Sequence, residues 1–241
     1  MSAPQTLPAS GPYWRFLLAA AVVAATFSAG TAVPGSVTQD YPWAHQAVTQ
    51  GLMLAFTLAA IAASRRPWAE FGFCHPTPAK GRFKLWGLLL GMASTGLILT
   101  LGLKGMRGLA AYGLGGIILW IWMISSIVEE LFCRAWFQTL MASGGKGDPP
   151  SERTRGPVLW SAALFGAMHL PLLFAGLEIG AVAIILVSVT ALGYVCALAR
   201  ARTGSLRPAI AAHVMFNIGG FLAGVIYTIA YRIATGQVPK L

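Results

Sequence analysis

Residues 120–134 read Trp120-Ile-Trp-Met-Ile-Ser-Ser-Ile-Val-Glu-Glu-Leu-Phe-Cys-Arg134, two adjacent glutamates and an arginine set inside an apolar run that extends from Tyr112 to Met141. A bilayer core needs about 20 apolar residues per helix, so this run is long enough to cross one. A charge at the centre of a membrane costs about 2.5–3.5 kcal/mol even on the lenient insertion scale, and ionisable side chains at that depth mark a functional site by default. The spacing pairs them. Glu130 and Arg134 stand at i and i+4 on one helical face. Glu129 is turned about 100° away, since a helix turns once every 3.6 residues. The reading is a division of labour: Glu130 neutralises Arg134, and Glu129 stays available for chemistry.

Six further apolar runs surround this one: Trp14–Val33, Ala44–Ser64, Lys84–Leu103, Pro157–Phe174, Gly176–Ala199 and Pro208–Tyr231. They are continuous rather than alternating, which excludes barrel strands. The fold class is therefore all-α, a polytopic transmembrane bundle of about seven spans in one domain covering residues 1–241. The whole chain agrees. Of its 241 residues 56% are hydrophobic and 10% charged, with mean hydropathy +0.69. A soluble domain carries about 25% charged residues. The second span is the weakest, because His45, Gln46, Thr49 and Gln50 crowd its start. The Tyr112–Met141 run is longer than a bilayer requires, so it tilts, protrudes or breaks near Gly113, Gly115 and Gly116. The first span has the apolar core and small residues (Ser28-Ala29-Gly30) of a signal peptide, but its weakly basic start and its length favour a retained anchor.

Net charge is +10. The cations flank apolar runs, so they read as topology signals facing anionic lipid rather than as a nucleic-acid surface. With the N-terminus in the cytoplasm, the inside segments hold Arg15, Arg65, Arg66, Lys80, Arg82, Lys84, Lys146, Arg153, Arg155, Arg200, Arg202 and Arg207, whereas the outside segments hold Lys104, Arg107, Arg232 and Lys240. That bias predicts N-terminus in, C-terminus out, for a multi-pass protein of the cell (inner) membrane. The linker at 65–83, with Trp68, Phe71, Phe73 and three prolines, is expected to lie on the cytoplasmic face, with His75 a solvated loop residue. Ser143–Pro150 is expected to be a flexible loop. The scattered glycines suit close helix packing. Cys74, Cys133 and Cys196 form no CxxC or Cys/His cluster, so a disulfide framework is not expected.

Two histidines also fall inside spans. His169 ends Phe165-Gly-Ala-Met-His169, and His213 opens His213-Val-Met-Phe-Asn217, which sets Asn217 one turn on, on the same face. At 1.5 Å per residue, Glu129 and His169 lie ~18 Å from the inner ends of their helices and His213 ~8 Å. All fall in the cytoplasmic half or near the midplane, and they share a cavity if the last helix is tilted or re-entrant. In such a cavity Glu129 takes the proton of a water that His169 orients. His213 and Asn217 supply donors to the oxyanion. Two histidines and a glutamate also suit zinc, but the HExxH spacing is absent. No metal or other cofactor is expected.

These residues resemble a known family. Glu129-Glu130-x-x-x-Arg134 is similar to its motif EExxxR, Phe165-x-x-x-His169 to FxxxH, and His213-x-x-x-Asn217 to HxxxN, in the family's order and on separate apolar helices. The lead-in Arg202-Thr-Gly-Ser-Leu-Arg-Pro-Ala-Ile-Ala-Ala-His213 resembles the family's as well. The family is CPBP, the type II CAAX prenyl endopeptidases and bacteriocin-processing (Abi) intramembrane proteases, and the likeness covers roughly 84–220. It implies glutamate-dependent, metal-independent peptide hydrolysis, with Glu129, His169, His213 and Asn217 catalytic and Glu130 and Arg134 supporting. Well-known members have eight spans, so an eighth is possible here. The family's substrates include prenylated CAAX proteins, bacteriocin leaders and C-terminal sorting helices. An Ala-, Gly- and Arg-rich composition suggests a high-GC bacterium, and hence a leader or sorting signal. The expected partners are the lipid bilayer and a membrane-associated peptide or protein, with no nucleic acid. Two other readings stand beside the protease: a non-catalytic scaffold or immunity factor of the same fold, and an ion-coupled carrier. An inverted repeat, which a carrier would favour, is not detectable.

Overall fold

A computed structural model describes residues 13–79, 81–103, 112–142, 150–174 and 176–237, without the side chains of 150–153. Lys80, Lys104, Arg107, Lys146 and Lys240, and 143–149 of the expected loop, lie outside these described residues, as does the side chain of Arg153. Among the described residues, seven helices are long and apolar enough to cross a membrane: α1 (Tyr13–Thr31), α2 (Ala44–Ala63), α3 (Phe83–Thr100), α4 (Gly113–Ala142), α5 (Pro150–Ala167), α6 (Ile179–Thr203) and α7 (Arg207–Thr235). A 3-10 turn, Leu170–Phe174, prolongs α5 within its span. No strand occurs among the described residues. The bundle is all-α and polytopic, as its apolar runs require.

The central helix settles one of the alternatives its length left open. It does not break at Gly113–Gly116, where it begins; it runs to Ala142 with two π-helical stretches, Ile117–Ser125 and Leu131–Phe137. An i→i+5 turn spends more residues per turn, so the wide turns take up the excess length, and such turns recur at functional sites. The only α-helical turn between them, Ser126–Glu130, carries both glutamates. A difference from expectation is at α5, which starts at Pro150 and holds Pro157 inside it rather than at its head.

Glycines set how closely α3 and α7 meet. A Cβ on Gly87 would lie 2.0 Å from the carbonyl oxygen of Ala212, one on Gly91 1.9 Å from that of Phe216, and one on Gly219 2.2 Å from that of Leu88. The two backbones therefore touch, in the manner of a small-xxx-small interface. Ala212 and Phe216 face α3, which leaves the neighbouring positions His213 and Asn217 turned toward α4.

The 65–83 linker is a strap as well as a surface segment. The Thr77 N–H donates to Thr203 O at 2.9 Å and the Leu206 N–H to Gly72 O at 3.1 Å. Ser205 Oγ donates to Cys74 O at 2.7 Å. It lies over the α6–α7 corner, where α6 ends at Gly204 in the left-handed conformation (φ 70°). Thr203, Ser205 and Leu206 are buried beneath it. Helix α7 thus starts under a layer of protein, and this takes His213, near its beginning, down to the level of the glutamates. His75 is an exposed loop residue, as expected, with its Nδ1 3.3 Å from an Arg207 guanidinium nitrogen.

Candidate active site

Helix α4 supplies the acids. Glu130 and Arg134 are both fully buried and form an ion pair, Arg134 Nη1 to Glu130 Oε1 at 3.0 Å. A second guanidinium nitrogen donates to Gly193 O at 2.9 Å, and the guanidinium carbon sits 4.5 Å from the centre of the Phe165 ring. The guanidinium thus meets a carboxylate, a carbonyl dipole and a π-face, which offset part of its desolvation, while Arg134 Nε and Glu130 Oε2 have no hydrogen-bond partner among the described residues. The i,i+4 pairing expected from spacing is present.

Glu130 has a second partner, one the sequence pattern does not reveal. His213 Nδ1 lies 3.0 Å from Glu130 Oε1. Because a carboxylate only accepts, the imidazole donates through Nδ1–H, and its Nε2 points the other way. That nitrogen lies 4.0 Å from Glu129 Oε2. The separation is too long for a direct hydrogen bond and of the kind a bridging water spans. Glu130 thus orients His213 through one ring nitrogen while the other faces Glu129.

Phe165 joins the three motifs. Fully buried, it has the His169 ring at 5.2 Å and the His213 ring edge-on at 5.3 Å, in addition to the Arg134 contact. His169 Nδ1 is 2.8 Å from Phe165 O; its Nδ1–H is spent on the backbone, and Nε2 keeps its lone pair. The structure brings Glu129, Glu130, Arg134 and His213 into one contact set and packs the His169 ring, tilted by 55°, against the same phenylalanine. Asn217 stands slightly apart. Its Nδ2 donates to Ser126 Oγ at 3.1 Å and approaches Ile121 O at 3.4 Å, so its amide is held by α4 in this conformation.

Sequence reasoning missed a set of polar neighbours. Gln50 of α2 donates to Glu129 Oε1 at 3.2 Å and Ser125 Oγ at 3.3 Å, and Gln46 donates to Ser125 Oγ at 2.7 Å. Glu129 is therefore not without a partner. The signal was visible as the polar crowding that weakens the second span, but it reads there as poor hydrophobicity; only the packing of α2 on α4 turns it into a network. Among the described residues no group of three His, Cys, Asp or Glu side chains is arranged to hold a metal ion.

Residues 112–219, which contain all three motifs, match the family model described as Type II CAAX prenyl endopeptidase Rce1-like. Comparison with curated proteins and with solved structures returned no match. The chain is a multi-pass membrane protein, and its motif-bearing core, residues 112–219, is similar to the type II CAAX prenyl endopeptidase (Rce1-like) family.

Proposed function

We propose that this protein is an intramembrane endopeptidase of the glutamic type, in which Glu129 activates water for attack on a peptide carbonyl. The observation that carries the reading is the approach of Glu129 Oε2 and His213 Nε2 to 4.0 Å, from helices far apart in sequence, around two charges that are otherwise costly to bury.

The chemistry follows from the roles the side chains can take. Glu129 takes a proton from water as general base, and His169 Nε2, with its lone pair, orients that water. The hydroxide oxygen bonds to the carbonyl carbon, and negative charge moves to the carbonyl oxygen. His213, held through Nδ1–H by Glu130, acts in its doubly protonated form, donating a hydrogen bond from Nε2–H to that oxygen and keeping its proton. Asn217 becomes the second donor when its amide exchanges Ser126 Oγ for the oxyanion. Collapse breaks the C–N bond, and the proton on Glu129 passes to the leaving amine. Water is the nucleophile, so no covalent acyl intermediate forms. Glu130 and Arg134 hold the assembly in place. The substrate is a membrane-associated protein cut near the bilayer, a bacterial leader or C-terminal sorting signal or a CAAX-like end. With the cation-rich ends in the cytoplasm, the site lies in the cytoplasmic half of the inner membrane or near its midplane.

The test is mass-spectrometric mapping of membrane-protein termini in cells carrying the wild type or Glu129→Gln. Removing a general base costs about 10²–10⁴-fold in rate, so at least one new terminus is expected to vanish in the variant while the protein itself stays inserted. Identical termini in both strains refute the reading.

A further inference from the structure

We propose that Gln50 is a positioning residue for Glu129, holding one carboxylate oxygen so that the other faces His213; this rests on Glu129 being the general base. The argument begins at Ser125. Its hydroxyl donates to Trp120 O at 2.9 Å, the carbonyl five residues back, inside the π-helical stretch. A serine has one proton to give. With that proton spent, Ser125 Oγ only accepts, and it does so from Gln46 Nε2 at 2.7 Å and Gln50 Nε2 at 3.3 Å. Both amides must turn their NH2 groups toward it. The orientation of the Gln50 amide is therefore dictated by the network and leaves no freedom for a flip. Its second N–H meets Glu129 Oε1 at 3.2 Å.

The consequence is directional. The terminal torsion of a glutamate is broad and has no sharp rotamer, so a carboxylate without a donor on one oxygen samples many orientations. Gln50 removes that freedom and leaves Glu129 Oε2 toward His213 Nε2. Packing alone would ask for an apolar residue here. Gln50 is 4% exposed, and its Oε1 has no hydrogen-bond partner among the described residues, a cost that a methionine of equal length would avoid.

The experiment compares Gln50→Met with Thr57→Val. Thr57 lies on the same helix, is fully buried, and makes only a helix-backbone hydrogen bond, to Met53 O. Purified enzymes cleave a fluorogenic peptide spanning the cleavage site that terminal mapping identifies. Misplacing a reacting group by about 1 Å costs up to about 10²-fold. Gln50→Met is expected to lower kcat by about 10- to 100-fold with KM unchanged, and Thr57→Val to leave both constants unchanged whatever it does to the melting temperature. Should Gln50→Met not accumulate, Ser125→Ala decides, because it frees the Gln50 amide without removing it; a fall in kcat at constant KM supports the proposal. Wild-type kcat in Gln50→Met, or in Ser125→Ala where that variant decides, overturns it. If Glu129→Gln is inactive in the same assay, only the role of Gln50 falls; if Glu129→Gln also turns over normally, the hydrolytic reading falls with it.

Discussion

Replacing Glu130 by glutamine tests the charge architecture of the bundle. The side chain keeps its shape and one acceptor oxygen but loses its charge, leaving Arg134 fully buried without its counter-ion and His213 Nδ1–H facing a neutral amide oxygen in place of a carboxylate. At the observed 3.0 Å, and with an effective dielectric constant near 20, the ion pair contributes roughly 5–6 kcal/mol of Coulomb attraction. Removing one partner of a buried pair typically costs about 3–5 kcal/mol. Gly193 O and the Phe165 ring remain to solvate the guanidinium, so the lower part of that range is expected. Every 1.4 kcal/mol is tenfold in equilibrium, so even 3 kcal/mol is about a hundredfold loss in the folding constant. The measurement is thermal unfolding in mild detergent, together with the amount of protein recovered from membranes. Replacing both residues, Glu130→Gln with Arg134→Met, is expected to restore most of the stability, because no unpaired charge is left. The double variant is expected to stay less active than the wild type, since a neutral amide oxygen holds His213 Nδ1–H less strongly than a carboxylate does. If Glu130→Gln unfolds like the wild type and the double variant is no more stable than the single one, the pair does not hold the bundle together.

Asn217→Ala separates an oxyanion donor from a packing residue. A donor costs about 10²–10³ in kcat, whereas an interhelical hydrogen bond, such as those to Ser126 Oγ and Ile121 O, averages about 0.6 kcal/mol of stability; a stability loss with normal kcat on the folded fraction removes Asn217 from the mechanism. Gly91→Val is expected to break the α3–α7 contact, because a Cβ there lies 1.9 Å from Phe216 O; expression and activity should fall together, and a fully active variant would show that α3 does not position His213. Treatment with EDTA or phenanthroline is expected to leave purified activity intact, and loss restored by added zinc would identify a metalloprotease instead.

The seven helices were legible because bilayer thickness and hydropathy act through local composition: each run had to be long and apolar, and each is. The Glu130–Arg134 pair was legible because both residues sit on one helix, where spacing alone fixes a shared face. The approach of Glu129 to His213 is allowed by the amino-acid pattern without being required by it, because it depends on the depth at which α7 begins. The linker decides that by covering the corner at Thr203–Leu206, a contact between segments about 130 residues apart. The length of α4 was legible as an excess, but not its resolution, since a π turn and a break spend surplus residues equally well on paper. Gln50 shows the limit most clearly. A glutamine near a helix start looks like poor hydrophobicity, because sequence carries composition and period but not neighbours. Only the packing of α2 against α4 gives its amide a carboxylate to hold.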